Sequence, residues 1–102
     1  VEICHIHTDN LKCHTLNADI VLVGVGVINL ITEDMVKDDV VIVDIGVSRT
    51  AEGKLVGDVD FENVSKKSSY ITPSPGGVGL MTIAMLLSNT LKAAKINAQE
   101  SK

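Results

Sequence analysis

Residues 73–82 read Pro-Ser-Pro-Gly-Gly-Val-Gly-Leu-Met-Thr, and they open a predicted helix over residues 80–95. The prolines stiffen the approach, and the three glycines let the backbone adopt positive φ angles close to a ligand. A helix start offers free N–H groups and a positive dipole end, which suit an anion or a polarised carbonyl. A second interpretation is a tight turn that only packs the helix against a strand. The spacing matches neither common phosphate-loop pattern, so it does not distinguish a ligand-binding turn from a purely structural one.

Short apolar runs before this turn predict the strands of a parallel sheet. Residues 20–25 and 40–45 are continuous runs rich in Val and Ile, residues 69–72 form a shorter strand, and residues 1–5 predict one more. Helical segments alternate with these runs, which predicts right-handed crossovers in a parallel α/β sheet. Such runs without aromatic residues are typical of strands covered on both faces.

Shorter elements are predicted in the connections and at the end of the chain. They are a helix over residues 11–18 capped within Thr8-Asp9-Asn10, a helix over 32–37, a hairpin or extended loop with strands at 47–50 and 54–56 around Glu52-Gly53, a helical turn capped by Asp60, and a fraying polar tail over 97–102.

Glycines lie where the predicted strands end. Gly24 and Gly26 close the first long run, and Gly46 follows the second. Each glycine alone could merely permit a turn. Ligands of open α/β sheets bind at the carboxyl ends of the strands, so these glycines and the glycine-rich turn together predict a common binding edge.

The composition restricts the class of protein. A chain of 102 residues is one domain at most, and a hydrophobic fraction of 45% is typical of a globular protein. A net charge of −4, no basic stripe and an aromatic fraction of 2% argue against nucleic acid as a partner. No apolar run reaches the ~18 residues of a membrane span. The two cysteines suit a reducing compartment, so we expect a cytoplasmic protein. An organellar location is also consistent with this cysteine content.

A cluster of Cys and His residues near the start invites a metal interpretation. On a strand, Cys4 points to one side while His5 and His7 point to the other. On a helix, Cys13 and His14 diverge by about 100°. The five side chains therefore cannot converge on one ion, and no metal site is predicted.

Four stretches of the chain resemble one known family. Residues 70–86 (Tyr-Ile-Thr-Pro-Ser-Pro-Gly-Gly-Val-Gly-Leu-Met-Thr-Ile-Ala-Met-Leu), 44–49 (Asp-Ile-Gly-Val-Ser-Arg), 53–59 (Gly-Lys-Leu-Val-Gly-Asp-Val) and Cys4-His5 are similar to the bifunctional methylenetetrahydrofolate dehydrogenase/methenyltetrahydrofolate cyclohydrolase family. The likeness covers nearly the whole chain. One departure is Leu80, where that family has a proline.

The resemblance implies a Rossmann-like, doubly wound, mostly parallel sheet that is incomplete here, because the family's first strand and Gly-Arg-Ser phosphate loop would lie upstream. Residues 1–102 would be the C-terminal part of a dinucleotide-binding domain, without the N-terminal catalytic domain. A start within a predicted strand agrees with this. In a sheet ordered 3-2-1-4-5, residues 1–5 and 40–45 would flank an empty slot. They would then pair directly, or another chain would fill the gap.

The resemblance also implies which residues bind. Departures at Ser48, where asparagine is common, and at Val27-Ile28, which replaces a more polar pair, weaken parts of this set. The cofactor would contact His5, Ile6, His7, Val25, Gly26, Val47, Ser48, Gly79 and Thr82, and the folate substrate would contact Pro75, Gly76, Gly77 and Val78.

The cofactor would be NADP or NAD, and Ile6 leaves the choice open. Many relatives carry a serine or arginine there that meets the ribose phosphate of NADP, and an isoleucine cannot do so. His5 or His7 could substitute for it.

No catalytic residue is predicted in this chain. The family's cyclohydrolase step uses a lysine in a Tyr-x-x-x-Lys motif of the N-terminal domain, whereas Tyr70 is followed at that spacing by Ser74. The parent enzyme would pass hydride from methylenetetrahydrofolate to NAD(P) and then hydrolyse methenyl- to formyltetrahydrofolate. The 102 residues alone would lack cyclohydrolase activity.

The final helix is apolar nearly all round in its first two turns. One side is expected to pack on the sheet, and the other predicts the missing domain or a second subunit, as in a homodimer. A single wide core face is the alternative. A second hypothesis for the whole chain is a non-catalytic α/β interaction module in which this helix docks a partner and the glycine turn is purely structural.

Overall fold

A computed structural model describes residues 1–100, and five short strands define its two sheets. The strands are β1 (Ile20–Val23), β2 (Val41–Asp44), β3 (Ser48–Arg49), β4 (Leu55–Val56) and β5 (Tyr70–Ile71). β1, β2 and β5 form a parallel sheet in that order, and β3 and β4 form an antiparallel hairpin. The predicted parallel α/β architecture and the hairpin are therefore confirmed.

The helical elements lie where the sequence predicts them. They are α1 (Leu11–Leu16), a 3-10 turn (Glu33–Met35), α2 (Phe61–Val64) and α3 (Val78–Glu100). The predicted caps are wrong in detail. Asn10 precedes α1 with a left-handed φ of 51° and no side-chain cap bond. Asp60 precedes α2, but its carboxylate accepts a 2.7 Å hydrogen bond from the side-chain amide of Asn63 and caps no backbone N–H.

The hydrophobic core covers one face of the parallel sheet. Val21 and Ile42 are in register and are 8% and 1% exposed, whereas Ile20 and Leu22 on the opposite face are 60% and 67% exposed. Burial of the first strand on both faces is thus a wrong prediction. The core consists of Val21, Val23, Ile31, Val36, Val40, Ile42, Val59 and Val64.

The predicted strand over residues 1–5 is not formed. A turn follows instead, in which the Thr8 N–H donates to the His5 carbonyl at 2.9 Å and the His5 N–H donates to Thr8 Oγ1 at 2.8 Å. An extended segment becomes a strand only when a neighbour accepts its backbone hydrogen bonds, and no described segment pairs with residues 1–5.

The strand order 3-2-1-4-5 is also wrong. β1 pairs directly with β2 over four residues, from Ile20↔Val41 to Val23↔Asp44, so no slot lies beside β2 on that side. β5 pairs with the other edge of β2. Among the described residues, β1 and β5 are therefore the two edge strands of this sheet, and the exposed side chains Ile20 and Leu22 lie on β1.

Helix α3 extends away from the sheet. It begins at Val78, two residues before the predicted start, and it includes residues 97–100 of the predicted tail, while Ser101 and Lys102 lie outside the described residues. Every side chain from residue 80 to residue 100 is exposed, so the predicted packing of this helix on the sheet is wrong. The protruding helix accounts for dimensions of 55 × 34 × 28 Å. Within residues 1–100, no helix combines the length and apolar composition needed to cross a membrane.

Candidate functional site

A cleft lies where β2 and β5 end and α3 begins. Its volume is about 320 Å³, within the range of small-molecule sites. Asp44 and Ile45 contribute one wall after β2. Seven of the thirteen predicted site residues line it, namely Val47, Pro75, Gly76, Gly77, Val78, Gly79 and Thr82.

The glycine-rich turn forms the floor of this cleft. Gly76 has a φ of 93°, and a Cβ atom on Gly77 would overlap the carbonyl oxygen of Pro73, so both positions require glycine. The Ser74–Pro75 peptide bond is cis. Gly79 differs from its neighbours, because a Cβ atom there would meet no protein atom within 4 Å. The fold therefore tolerates a side chain at Gly79, and the space beside it is open.

The start of α3 presents unpaired donors next to the cleft. Among residues 1–100, no acceptor binds the backbone N–H of Gly77 or Val78. The Val78 carbonyl accepts a 3.0 Å hydrogen bond from Thr82 Oγ1, so that hydroxyl is directed at the helix while its oxygen stays able to accept. Free N–H groups and the positive end of a 23-residue helix can bind a polarised carbonyl or an anion.

A second cavity lies beside β1. It has a volume of about 680 Å³, and the predicted cofactor residues His5, Ile6 and Val25 line it. Ile6 is 93% exposed. The His7 N–H donates to His5 Nδ1 at 3.1 Å, which leaves the Nε2 atom of His5 available. The structure thus divides the predicted cofactor residues between two cavities.

The remaining predicted residues lie outside both cavities. His7 is exposed in the turn that follows the first residues, and Gly26 and Ser48 line neither cavity, although their chain neighbours Val25 and Val47 each line one. The Ser48 hydroxyl donates to the Gly26 carbonyl at 3.3 Å. This hydrogen bond connects the loop after β1 to the hairpin.

Two buried carboxylates join the loops at this edge, and neither is among the site residues predicted from the sequence. Asp44 is 5% exposed, and it accepts backbone N–H groups of Gly46 (3.0 Å) and Asp58 (3.2 Å) at Oδ1 and of Val59 (3.1 Å) at Oδ2. Its own N–H donates to Thr72 Oγ1 at 2.9 Å. Asp44 therefore connects the ends of β2 and β5 to the segment after β4.

Asp58 extends this network to the end of β1. It is fully buried, and its Oδ2 accepts the N–H groups of Val25 at 2.7 Å and Gly26 at 3.0 Å. Its Oδ1 has no partner among the described residues. One feature of the sequence could have identified these two acids: each lies within or next to an apolar run. A carboxylate buried with such a run needs hydrogen-bond partners, so it indicates a network of this kind.

The Cys and His cluster is dispersed in the structure. His14 Nδ1 contacts the Glu2 carboxylate, Cys4 is half-buried, and Cys13 is exposed. In the part of the chain that is described, no group of three or more Cys, His, Asp or Glu side chains is arranged to hold a metal ion.

The parallel sheet, the glycine-rich turn and the cleft at the strand ends together define a Rossmann-like α/β domain of the dinucleotide-binding class. Residues 1–98 match the family model described as tetrahydrofolate dehydrogenase/cyclohydrolase, NAD(P)-binding domain. The chain belongs to this family, which confirms the resemblance seen in the sequence.

Individual relatives agree with this assignment. The bifunctional protein FolD of Sulfurimonas denitrificans is 72% identical over 102 residues, which are 100% of this chain and 36% of that protein. The crystal structure of the bifunctional enzyme FolD, methylenetetrahydrofolate dehydrogenase/cyclohydrolase, from Campylobacter jejuni superposes with a TM-score of 0.88 at 59% identity, over 94% of this chain and 34% of that one.

A more distant solved structure contains a cofactor. It is the Trypanosoma brucei methylenetetrahydrofolate dehydrogenase-cyclohydrolase complexed with NADP and an inhibitor, with a TM-score of 0.79 and 36% identity over 87% of this chain and 32% of that one. The chain thus spans about a third of the length of the relatives that it matches.

Proposed function

We propose that this chain is the C-terminal part of the NAD(P)-binding domain of a methylenetetrahydrofolate dehydrogenase/methenyltetrahydrofolate cyclohydrolase. The parent protein is an oxidoreductase and hydrolase of one-carbon folate metabolism. It transfers hydride from methylenetetrahydrofolate to NAD(P) and hydrolyses the methenyl product to formyltetrahydrofolate. The family membership and the 72% identity to a bifunctional FolD protein support this proposal.

The open glycine-rich turn is the observation that carries the proposal. Within residues 1–100, the N–H groups of Gly77 and Val78 have no acceptor, and a Cβ atom on Gly79 would meet no other atom within 4 Å. A volume of about 320 Å³ suits the nicotinamide end of the cofactor together with part of a substrate, and not a whole dinucleotide. The donors and the open space therefore fit a flat ring that carries a polarised carbonyl.

The residues of the cleft would bind and orient the reactants. NAD(P), when bound, supplies the hydride acceptor. Gly79 and Thr82 would lie against the nicotinamide and its ribose, with Val47 and Ser48 along the cofactor. Residues 75–78 would face the folate. The apolar walls would exclude water from the ring, and the rigid turn would hold the reacting carbons close together, which lowers the entropic part of the barrier.

The choice between NADP and NAD depends on the turn beside β1. Ile6 offers no group that could bind a ribose phosphate. His5 and His7 are exposed on either side of it, and their ring centroids are 6.0 Å apart. We propose that these imidazoles stand near the ribose of the bound cofactor, and both NADP and NAD remain candidates.

The substitution Gly79→Ala in the full-length parent tests the proposed site. A methyl group there would meet no side chain of the described residues within 4 Å and favours helix, so we expect the free energy of unfolding to stay equal or rise by about 0.5–1 kcal/mol. The same methyl group would occupy the space of the nicotinamide, so the KM for NAD(P) should rise at least about tenfold.

Ser88→Ala is the matched control, because Ser88 is exposed on the same helix and does not line the cleft. Ser88→Ala should raise the free energy of unfolding by no more than about 0.5 kcal/mol through helix propensity and should leave the KM for NAD(P) unchanged. An unchanged cofactor KM in the Gly79 variant would contradict the placement of the nicotinamide, and a parent protein without dehydrogenase activity would contradict the function itself.

A non-catalytic interaction module is the second candidate, and one observation favours it. Leu80, Ile83, Leu87 and Leu91 of α3 are each 58–70% exposed, so this helix has a free apolar surface. We propose that the N-terminal domain of the parent covers this surface. Homodimerisation of the parent is the other arrangement that would cover it. We also propose that the parent is a cytoplasmic protein. Only the enzyme hypothesis predicts that NAD or NADP raises the melting temperature of the parent.

A further inference from the structure

We propose that Asp58 is a positioning residue that holds the loop after β1 in its cofactor-binding conformation. This inference rests on the proposed function, because it takes Val25 and Gly26 as part of the cofactor site. Asp58 does not touch either cavity and is fully buried. It would act only through the two backbone N–H groups that it binds.

The loop after β1 is fixed from two sides. Asp58 Oδ2 accepts the N–H groups of Val25 and Gly26 at 2.7 and 3.0 Å, and the Ser48 hydroxyl donates to the Gly26 carbonyl. Hydrogen bonds from N–H groups to a carboxylate are stronger than those between neutral groups. Gly26 has a φ of 76°, a conformation that glycine leaves easily unless other contacts hold it.

Asp58 is itself held in place. Its N–H donates to Asp44 Oδ1 at 3.2 Å, and its carbonyl accepts the N–H of Ile31 at 3.0 Å. A Cβ atom on Gly46 would overlap its carboxylate, so the side chain lies directly against the backbone after β2. The carboxylate thus transmits the position of β2 and of the core to the loop after β1.

The burial of this acid is unfavourable for stability alone. Oδ1 has no partner within residues 1–100, and none of the salt bridges formed by these residues includes Asp58. Burying a carboxylate with an unpaired oxygen is costly, and this cost must be offset by the hydrogen bonds that the other oxygen accepts. The presence of an acid at position 58 is therefore explained by the two N–H groups, of Val25 and Gly26, that its Oδ2 atom accepts.

The held loop is connected to both cavities. The side chain of Val25 lines the cavity beside His5 and Ile6, while Gly26 is bonded to Ser48 next to the other cleft. Release of this loop would let the two parts of the cofactor site move relative to each other. The folate contacts at residues 75–78 belong to a different segment and would be affected less.

The test uses the full-length parent enzyme with Asp58→Leu and Asp58→Asn. Leucine keeps the branched shape without an acceptor, whereas asparagine keeps one acceptor oxygen of the same reach. We expect Asp58→Leu to raise the KM for NAD(P) about tenfold with the folate KM within about twofold, and Asp58→Asn to restore most of the affinity. If the leucine variant does not fold, Asp58→Ala removes the acceptor with a smaller side chain.

Val64→Ala is the control for general destabilisation, because Val64 is fully buried in the core and contacts neither cavity. It should lower the melting temperature without a selective effect on the cofactor KM. Hydrogen exchange provides a readout without turnover: the amides of Val25 and Gly26 should exchange faster in Asp58→Leu and stay protected in Asp58→Asn and Val64→Ala.

Equal effects of Asp58→Leu and Val64→Ala on the two KM values, or unchanged protection of the Val25 and Gly26 amides in Asp58→Leu, would overturn the inference alone. A wild-type parent that binds neither NAD nor NADP in calorimetry would instead overturn the proposed function, and the inference with it. The two failures are therefore distinguishable.

Discussion

Gly57 lies so close to Asp44 that a Cβ atom on the glycine would overlap the Oδ2 atom of the carboxylate. The same relationship holds between Gly46 and the carboxylate of Asp58. Each of the two buried acids thus lies against the backbone of a glycine, and each binds backbone N–H groups of another loop. The hydrogen bonds of these two carboxylates hold together the loops at the carboxyl edge of the sheet, and the two glycines allow the carboxylates to come close enough.

The first prediction concerns Gly57. The carboxylate of Asp44 cannot move away from a new methyl group without releasing its N–H donors, and Ser74 Cβ would lie 2.9 Å from the methyl on another side. We expect Gly57→Ala to lower the free energy of unfolding of the parent by about 2–4 kcal/mol in urea denaturation.

Gly53→Ala is the control for this substitution. Gly53 has a φ of 85° but open space around it, so alanine should lower stability by about 1–2 kcal/mol through backbone strain alone. A Gly57 variant no less stable than the Gly53 variant would show that the carboxylate network is looser than the structure indicates.

The second prediction concerns the histidines beside Ile6. If His5 and His7 stand near the cofactor's ribose phosphate, His7→Ala in the parent should raise the KM for NADP about threefold to tenfold and change the KM for NAD by less than about twofold. Steady-state kinetics with both cofactors measures this ratio. Cys13 is exposed and lines neither cavity, so Cys13→Ala should leave the ratio unchanged. Equal changes for NAD and NADP in the His7 variant would exclude a role in phosphate recognition.

The third prediction concerns acid stability. The pKa of Asp34 is lowered from 3.8 to about 2, first by the hydrogen bond from the Thr32 hydroxyl and then by that from Lys12 Nζ at 2.9 Å. The folded state therefore favours the charged form. Its contribution to stability is fully present above about pH 4 and is lost as the pH falls through about 2.

We expect the free energy of unfolding to decrease from about pH 4 to about pH 2, and to decrease less in Asp34→Asn. Thr32→Val and Lys12→Met should each reduce this difference, because the hydroxyl and the ammonium group both lower the pKa of Asp34. Denaturant unfolding at several pH values measures it. A profile for Asp34→Asn with the wild-type slope would refute the assignment of the slope to this carboxylate.

The fourth prediction concerns the apolar surface of α3. Leu87 is 68% exposed in this chain, and the proposal places another domain or subunit over it. In the full-length parent we expect Leu87→Ser to lower the free energy of unfolding by about 1.5–3 kcal/mol, the value of a buried leucine. Lys92→Ser on the same helix should change stability by less than about 0.5 kcal/mol.

Light scattering of the same variants distinguishes whether the N-terminal domain or a second copy of the parent packs on this surface. A dimer that dissociates in Leu87→Ser identifies a second copy, whereas an unchanged mass with lower stability identifies a domain of the same chain. A Leu87 variant as stable as the wild type would contradict both domain packing and homodimerisation at this surface.

Several elements could be predicted from the sequence because they depend on neighbouring residues. The apolar runs around Val21 and Ile42 form strands, Glu52-Gly53 lies in the turn of a hairpin, and Gly76 occupies a positive-φ position. The identity of the family also followed from contiguous motifs. Such signals lie within a few residues of one another, so no knowledge of the tertiary contacts is needed to interpret them.

Other features depend on which segments meet. Residues 1–5 have the composition of a strand, but the part of the chain that the structure describes offers them no neighbour to pair with. β1 pairs with β2 in an order that the alternation of elements does not specify. The faces of β1 differ in exposure because the described part of the chain covers only one of them. Local pattern cannot reveal the presence or absence of a covering layer.

The sequence by itself therefore determined the glycine-rich turn, the parallel strands and the family, because each is encoded in contiguous residues. Only the tertiary structure decided that Asp58 meets the amides of Val25 and Gly26, which are 33 and 32 positions away. The physical reason is that a buried carboxylate takes whichever N–H groups the packed loops bring to it, and that choice depends on the arrangement of the whole sheet edge.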